Sequence, residues 1–330
     1  MGQTKKELVL AAFDNKPTDR VPVGFWFHFL ADEMHSNAFE NPAFAAENLA
    51  GHRKFIDAFK PDFVKVMSDG YFAYGNPVLR NIERVTDMKS IEPLADDNRW
   101  FTDQIAFVKT LTDEYGDDVA MFYNVFCAGT TFKFMQDGNG EEKLAAFIRE
   151  DKETVKRAFD IMSKDLAKLA KRIVTEAGAT GIYFSLQNMA GEGMTKVVYE
   201  EVFEPGEKEV LAAVKSVSDY NILHICGYEG HRNDLTWYRD YDVKAINWAA
   251  VVEGIPLEEG KKIFGGRAVI GGFGNGFGDV LYVGDKDAIQ AEAKRITEGV
   301  GRTGVIVGAD CTIPRDTDLA HLEWVREALA

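Results

Sequence analysis

Short apolar runs recur along the chain, at 21–28, 63–67, 119–126, 181–187, 221–227, 245–249, 268–272 and 304–311. Each is close to continuously apolar, the pattern of a parallel strand covered on both faces. Longer stretches between them have helical spacing and predict helices near 43–59, 97–115, 142–149, 151–177, 197–217 and 317–329. The stretch 151–177 is the clearest, with apolar residues at 155, 158, 159, 162, 166, 169, 170, 173 and 174 before Gly178 stops it. Ahead of the first run, Thr4 and Glu7 form the sequence of a capping box, and a helix through Phe13 ends before Pro17. No Pro/Gly/Ser linker interrupts this order. A doubly wound sheet also gives alternating units, but eight of them favour a (β/α)8 barrel, with residues 1–330 as one domain.

The net charge of -15, with no basic cluster, argues against nucleic acid and anionic membrane as partners. No apolar run approaches the roughly 20 residues that span a bilayer. The polar start Met1-Gly2-Gln3-Thr4 has no signal-peptide character, so a cytoplasmic protein is expected. The three cysteines, Cys127, Cys226 and Cys311, are far apart and make no disulfide framework.

A barrel of this kind places its chemistry at the C-terminal ends of the strands. That criterion selects His28, Asp69, Asn124, Gln187, His224, Cys226, Asn247, Trp248, the loop 271–278, Asp310 and Cys311. His224 and Cys226 are two apart on the fifth strand, so their side chains share a face. Imidazole and thiolate are soft ligands suited to zinc, and Cys311 closes the eighth run to supply a third. The competing reading is a buried histidine among small apolar cysteines. Asp69 is a candidate for substrate contact or proton transfer, or it caps the turn Ser68-Asp69-Gly70. Gln187 either donates to a substrate or caps its strand. Trp26 and Trp248, with Phe25, either wall a flat cofactor or pack the barrel. The glycine-rich loop 271–278 holds no basic residue and is expected to be mobile rather than to bind phosphate. Cys127 is expected to be a buried thiol, and His231 lies in a loop that the pattern does not place.

The segment Phe13-Asp14-Asn15-Lys16-Pro17-Thr18-Asp19-Arg20-Val21-Pro22-Val23 resembles the opening signature of the uroporphyrinogen decarboxylase superfamily. The resemblance continues through Val66-Met67-Ser68-Asp69, Phe134-Met135-Gln136-Asp137-Gly138 and Ile270-Gly271-Gly272. It implies a (β/α)8 barrel. The superfamily includes zinc-dependent methyltransferases that act on thiols, similar to methylcobamide:coenzyme M methyltransferases. Their pattern is His-X-Cys on strand five and a distant Cys after strand eight, which here falls on His224, Cys226 and Cys311. Asp310-Cys311-Thr312 also looks like the zinc cysteine of cobalamin-independent methionine synthases. Several of these enzymes add a glutamate near strand six, where this chain has Asn247 or, further on, Glu253. On the decarboxylase side, Asp69 matches an aspartate that binds substrate pyrroles. The tyrosine of that branch appears as Phe134, and its arginine-rich segment appears as His28-Phe29-Leu30-Ala31-Asp32-Glu33. Arginine is the natural partner of carboxylates, so its absence argues against a substrate bearing eight of them.

Zn2+ with one His and two Cys thiolates is formally neutral and suited to generating a thiolate nucleophile. The resulting expectation is a zinc enzyme that moves a methyl group from a corrinoid, free or on a partner protein, to a small thiol. A metal-independent decarboxylase and a non-catalytic zinc- or corrinoid-binding barrel are the alternatives.

Overall fold

A computed structural model describes residues 2–187, 193–228 and 232–330. Eight parallel strands form one sheet, nearly closed into a (β/α)8 barrel. They are β1 (Val23–Gly24), β2 (Phe63–Val66), β3 (Ala120–Phe126), β4 (Gly181–Gln187), β5 (Ile222–Cys226), β6 (Ala245–Trp248), β7 (Ala268–Phe273) and β8 (Val305–Ala309). The order β1-β8-β7-β6-β5-β4-β3-β2 leaves a seam between β1 and β2. Side chains bridge it: the fully buried Asp62 carboxylate accepts from the Val23 amide at 2.8 Å and from both terminal nitrogens of Arg20.

Alternation divides each strand between two cores. Outward residues such as Val64, Val66, Met121, Leu223 and Ile246 pack under the helices. Inward residues such as Phe63, Phe122, Tyr183, Ile222, Ala245 and Ile306 fill the barrel. The helix Lys5–Phe13, started by the expected capping box of Thr4 and Glu7, closes the N-terminal end. Its Val9, Ala12 and Phe13 join the inner core, and the Phe13 ring stacks on Phe122 at 5.5 Å. Chemistry is therefore confined to the opposite mouth.

Two elements differ from expectation. β1 holds two residues rather than the stretch 21–28, since Pro22 has no amide to donate and Asp62 takes the amide of Val23. The single helix expected at 197–217 is two, Lys196–Val202 and Glu204–Lys215, because Pro205 starts the second. The helices expected on either side of 150 lie within Gly140–Thr175 and are parted at Asp151, whose backbone is non-helical and whose carboxylate accepts from Thr154 N at 3.1 Å. No helix among the described residues is long and apolar enough to cross a membrane.

Candidate metal centre

β5 ends at the barrel mouth with His224 and Cys226 inward, as strand alternation requires. β8 ends at Ala309, and the chain turns so that Cys311 comes over the same point. Asp310 fixes that turn. Its fully buried carboxylate accepts from Gly272 N at 3.0 Å and Val251 N at 2.7 Å, while its own amide donates to Phe273 O at 2.8 Å. Burial pushes the Asp310 carboxyl up to about 8. Gly271 and Gly272 both have positive φ, and a Cβ at Gly271 would stand 3.1 Å from Asn247 Nδ2 and 3.2 Å from Asp310 Oδ1.

The ligand atoms of His224, Cys226 and Cys311 all lie within 4.8 Å of one another. The two sulfurs are 3.9 Å apart, and Cys311 Sγ is 3.6 Å from His224 Nε2. Four-coordinate zinc with Zn–S of about 2.3 Å and Zn–N of about 2.05 Å has S–S and S–N edges of about 3.8 and 3.6 Å. The Cys226–Cys311 and Cys311–His224 spacings fit those two edges. Cys226 S–H donation, with the nearby Lys65 charge, holds the Cys311 thiol well below its ordinary value. Cys226 is pushed up by that same contact and by burial. The pair therefore loses its first proton readily, as a metal-binding pair must.

Asn247 on β6 sets the tautomer of His224. Its Nδ2 donates to Ile270 O at 2.8 Å, which leaves Oδ1 as the acceptor. Oδ1 accepts from Tyr183 Oη at 2.6 Å and from His224 Nδ1. The proton is therefore on Nδ1, and the Nε2 lone pair faces the sulfurs. Asn247 orients the imidazole instead of adding a ligand. Glu253, the other position considered, is also engaged: it accepts from Asn233 N at 2.9 Å and from Asn233 Nδ2 at 2.8 Å. Among the described residues, the group that could hold a metal ion is the two cysteines and the histidine.

The other residues singled out from the sequence are placed as follows. Gln187 on β4 stands in register with Cys226, and Lys133 Nζ donates to its carbonyl at 3.0 Å. Asp69 is fully buried; its carboxylate accepts from Phe29 N at 2.7 Å and meets His28 Nδ1 at 2.8 Å, so it fixes the segment after β1. The partly exposed group there is His28. The two tryptophans do not wall the mouth. Trp248 faces outward, against Phe264 and beneath Gly260, with Nε1 donating to Ile255 O at 2.8 Å. Trp26 is buried in the inner core against Phe63 and Tyr183. Cys127 is a buried thiol 3.2 Å from Thr130 Oγ1, and burial pushes it up to about 12. In the glycine-rich loop, Asn275 Nδ2 donates to Thr312 O at 3.1 Å and Gly276 N to Asp279 at 2.6 Å. His231 lies outside the described residues.

Lys65 was not selected by the strand-end criterion. It lies mid-strand on β2, inward by parity with Phe63, and it is only 5% exposed. The signal available was a lysine inside the apolar run Phe63-Val64-Lys65-Val66-Met67.

The family model for uroporphyrinogen decarboxylase matches residues 66–330. The chain belongs to this family. Among solved structures, a methyltransferase from Methanosarcina mazei superposes with a TM-score of 0.76 at 18% identity, covering 98% of each chain. A B12-independent methionine synthase from Shewanella sp. W3-18-1, in complex with selenomethionine, superposes with a TM-score of 0.59 at 12% identity, covering 93% of this chain and 95% of that one. These likenesses establish a shared fold. No curated protein sequence matches the chain.

Proposed function

We propose that this protein is a zinc-dependent methyltransferase that moves a methyl group from a corrinoid, or a similarly activated donor, to a small thiol. The observation that carries the reading is that Cys311 Sγ stands from Cys226 Sγ and from His224 Nε2 at distances that match two edges of a zinc tetrahedron. Two structural neighbours, a methyltransferase and a methionine synthase, support the same class of reaction. His224, Cys226 and Cys311 would hold the metal. When bound, zinc lowers the pKa of an incoming thiol and fixes its sulfur as the nucleophile.

The chain's own residues supply the rest. Three protein ligands leave a coordination position for the acceptor, as catalytic rather than structural zinc sites do. Asn247 keeps the Nε2 lone pair of His224 on the metal side, and Asp310 keeps Cys311 in place. In the reaction the acceptor sulfur gains the methyl carbon, its proton passes to solvent, and the donor keeps the electron pair of the broken bond. The donor is a free corrinoid or one carried by a partner protein. Decarboxylation of a polycarboxylate fits the mouth less well. The segment after β1 has no arginine, and Arg315, which reaches it, spends its guanidinium on the carbonyls of Leu30 and Ala31.

Cys311→Ala tests this reading. The variant is expected to lose zinc and methyl transfer from methylcobalamin to 2-mercaptoethanol while keeping the wild-type circular dichroism, since a core this large does not depend on one ion. A Cys311→Ala protein that retains full zinc affinity, or a wild type that stays metal-free after zinc loading, would overturn it.

A further inference from the structure

Lys65 carries its ammonium into the barrel interior with no carboxylate in ion-pair range among the described residues. Nζ stands 4.2 Å from the centroid of the Tyr183 ring and 5.3 Å from that of Trp26. A lysine this buried is rare without a partner, since desolvating an ammonium is costly. Trp26 Nε1, in the same inner core, is a buried donor without an acceptor. The Tyr183 ring lies 5.4 Å from the His224 ring and donates its hydroxyl to Asn247, so the ammonium is one aromatic ring away from the metal ligands. The negative groups whose charge it feels are Cys311, Cys226 and Asp69. Asp69 is turned away to its own hydrogen bonds with His28 and the Phe29 amide.

We propose that Lys65 is the counter-cation of the His224, Cys226 and Cys311 centre, giving it a preference for an anionic thiolate over a neutral ligand. The proposal rests on the zinc-thiol reading above. Simple counting of charge supports it. Bringing in Zn2+ with release of thiol protons leaves the barrel no more negative than before. Exchanging a neutral fourth ligand for a thiolate adds one negative charge in a buried place, and the ammonium offsets it. Burial lowers the Lys65 pKa to about 8, so the group remains largely charged at neutral pH. Lys133, which donates to Gln187 O at 3.0 Å, also bears on Cys226, but less than Lys65 does, and Lys65 bears on Cys311 as well. Lys65 touches no ligand atom, and it acts through its field.

The test is made on the full chain loaded with Co2+ in place of zinc, with 2-mercaptoethanol as the anionic probe and imidazole as the neutral one, both followed by the visible spectrum. At neutral pH, Lys65→Met is expected to hold one metal ion no more weakly than wild type and to bind imidazole unchanged. Its affinity for 2-mercaptoethanol should fall by about tenfold to a hundredfold, the effect of one unit charge acting across an intervening aromatic ring in the protein interior. Lys65→Arg should recover most of that loss. If wild type takes up metal and thiol but Lys65→Met titrates like wild type, the role for Lys65 is wrong and the zinc reading stands. If Lys65→Met and Lys65→Arg lose imidazole as well as thiol, the lysine is a packing element and the proposal fails. If wild type takes up no metal, both readings fall together.

Discussion

In the proposed metal centre, much would depend on Asn247, a residue that is not a ligand. Its Oδ1 receives the His224 Nδ1 proton while its Nδ2 is fixed by Ile270 O, so the amide cannot turn over without breaking both contacts. Asn247→Leu keeps the side-chain size but removes the acceptor, leaving the imidazole free to choose the wrong tautomer. Zinc affinity, measured by competition with a chromophoric chelator, should fall about tenfold to a hundredfold, the usual cost of losing such an outer partner. Unchanged affinity would mean that the cysteine pair alone dictates binding. The sequence makes His224, Cys226 and Cys311 visible because soft ligands at strand ends are recognisable by type and spacing. The role of Asn247 depends on cross-strand register, His224 against Asn247 and Asn247 against Ile270, which spacing along one chain cannot supply.

Among the elements, the opening helix Lys5–Phe13 does the work of a plug. Phe13 is 1% exposed, stacked on Phe122 in the inner core and edged by Tyr220. Phe13→Ala should cost about 3–5 kcal/mol in urea unfolding, because the barrel end is lined by strands that cannot collapse into the space. Zinc affinity of the folded variant should not change, since the plug and the centre occupy opposite ends. A variant that lost both equally would contradict that separation. The helix was legible from its capping box, and the strands from their unbroken apolar runs. The extent of β1 was not, because its pairing is ended by Pro22 and by a carboxylate contributed from the far side of the seam. Trp26 and Trp248 illustrate the same limit: both are near strand ends, but parity turns one into the barrel and the other toward the helices. Parity also turns Lys65 inward, so the lysine that breaks an apolar run is the one that meets the site.

At the scale of the whole molecule, a chain of net charge -15 keeps a few ionisable groups in its core, and these set how its stability responds to pH. Glu207, on the helix Glu204–Lys215, is the clearest. It is 3% exposed, accepts from Tyr199 at 2.5 Å and also from Tyr241, and has Tyr238, Cys127 and Glu204 nearby. Burial raises its pKa from 4.5 to about 7, more than those hydrogen bonds lower it. Between these two values the unfolded chain has released the proton while the folded protein still holds it. Stability therefore falls as pH rises through this window and levels off above it. His52 acts in the opposite sense: burial lowers it from 6.5 to about 4, so its contribution rises with pH across that range. A wild-type pH profile mixes these two with Asp310, whose buried carboxyl is also raised, to about 8. Glu207→Gln isolates one, because the His52 and Asp310 contributions are common to both proteins and cancel in the difference. Relative to wild type, the glutamine variant should gain roughly 3 kcal/mol of unfolding free energy between pH 4.5 and pH 7, read from paired urea titrations at each pH. A difference that stays constant across the window would mean that Glu207 ionises in the folded protein as it does in the unfolded chain, with its tyrosines offsetting the whole cost of burial.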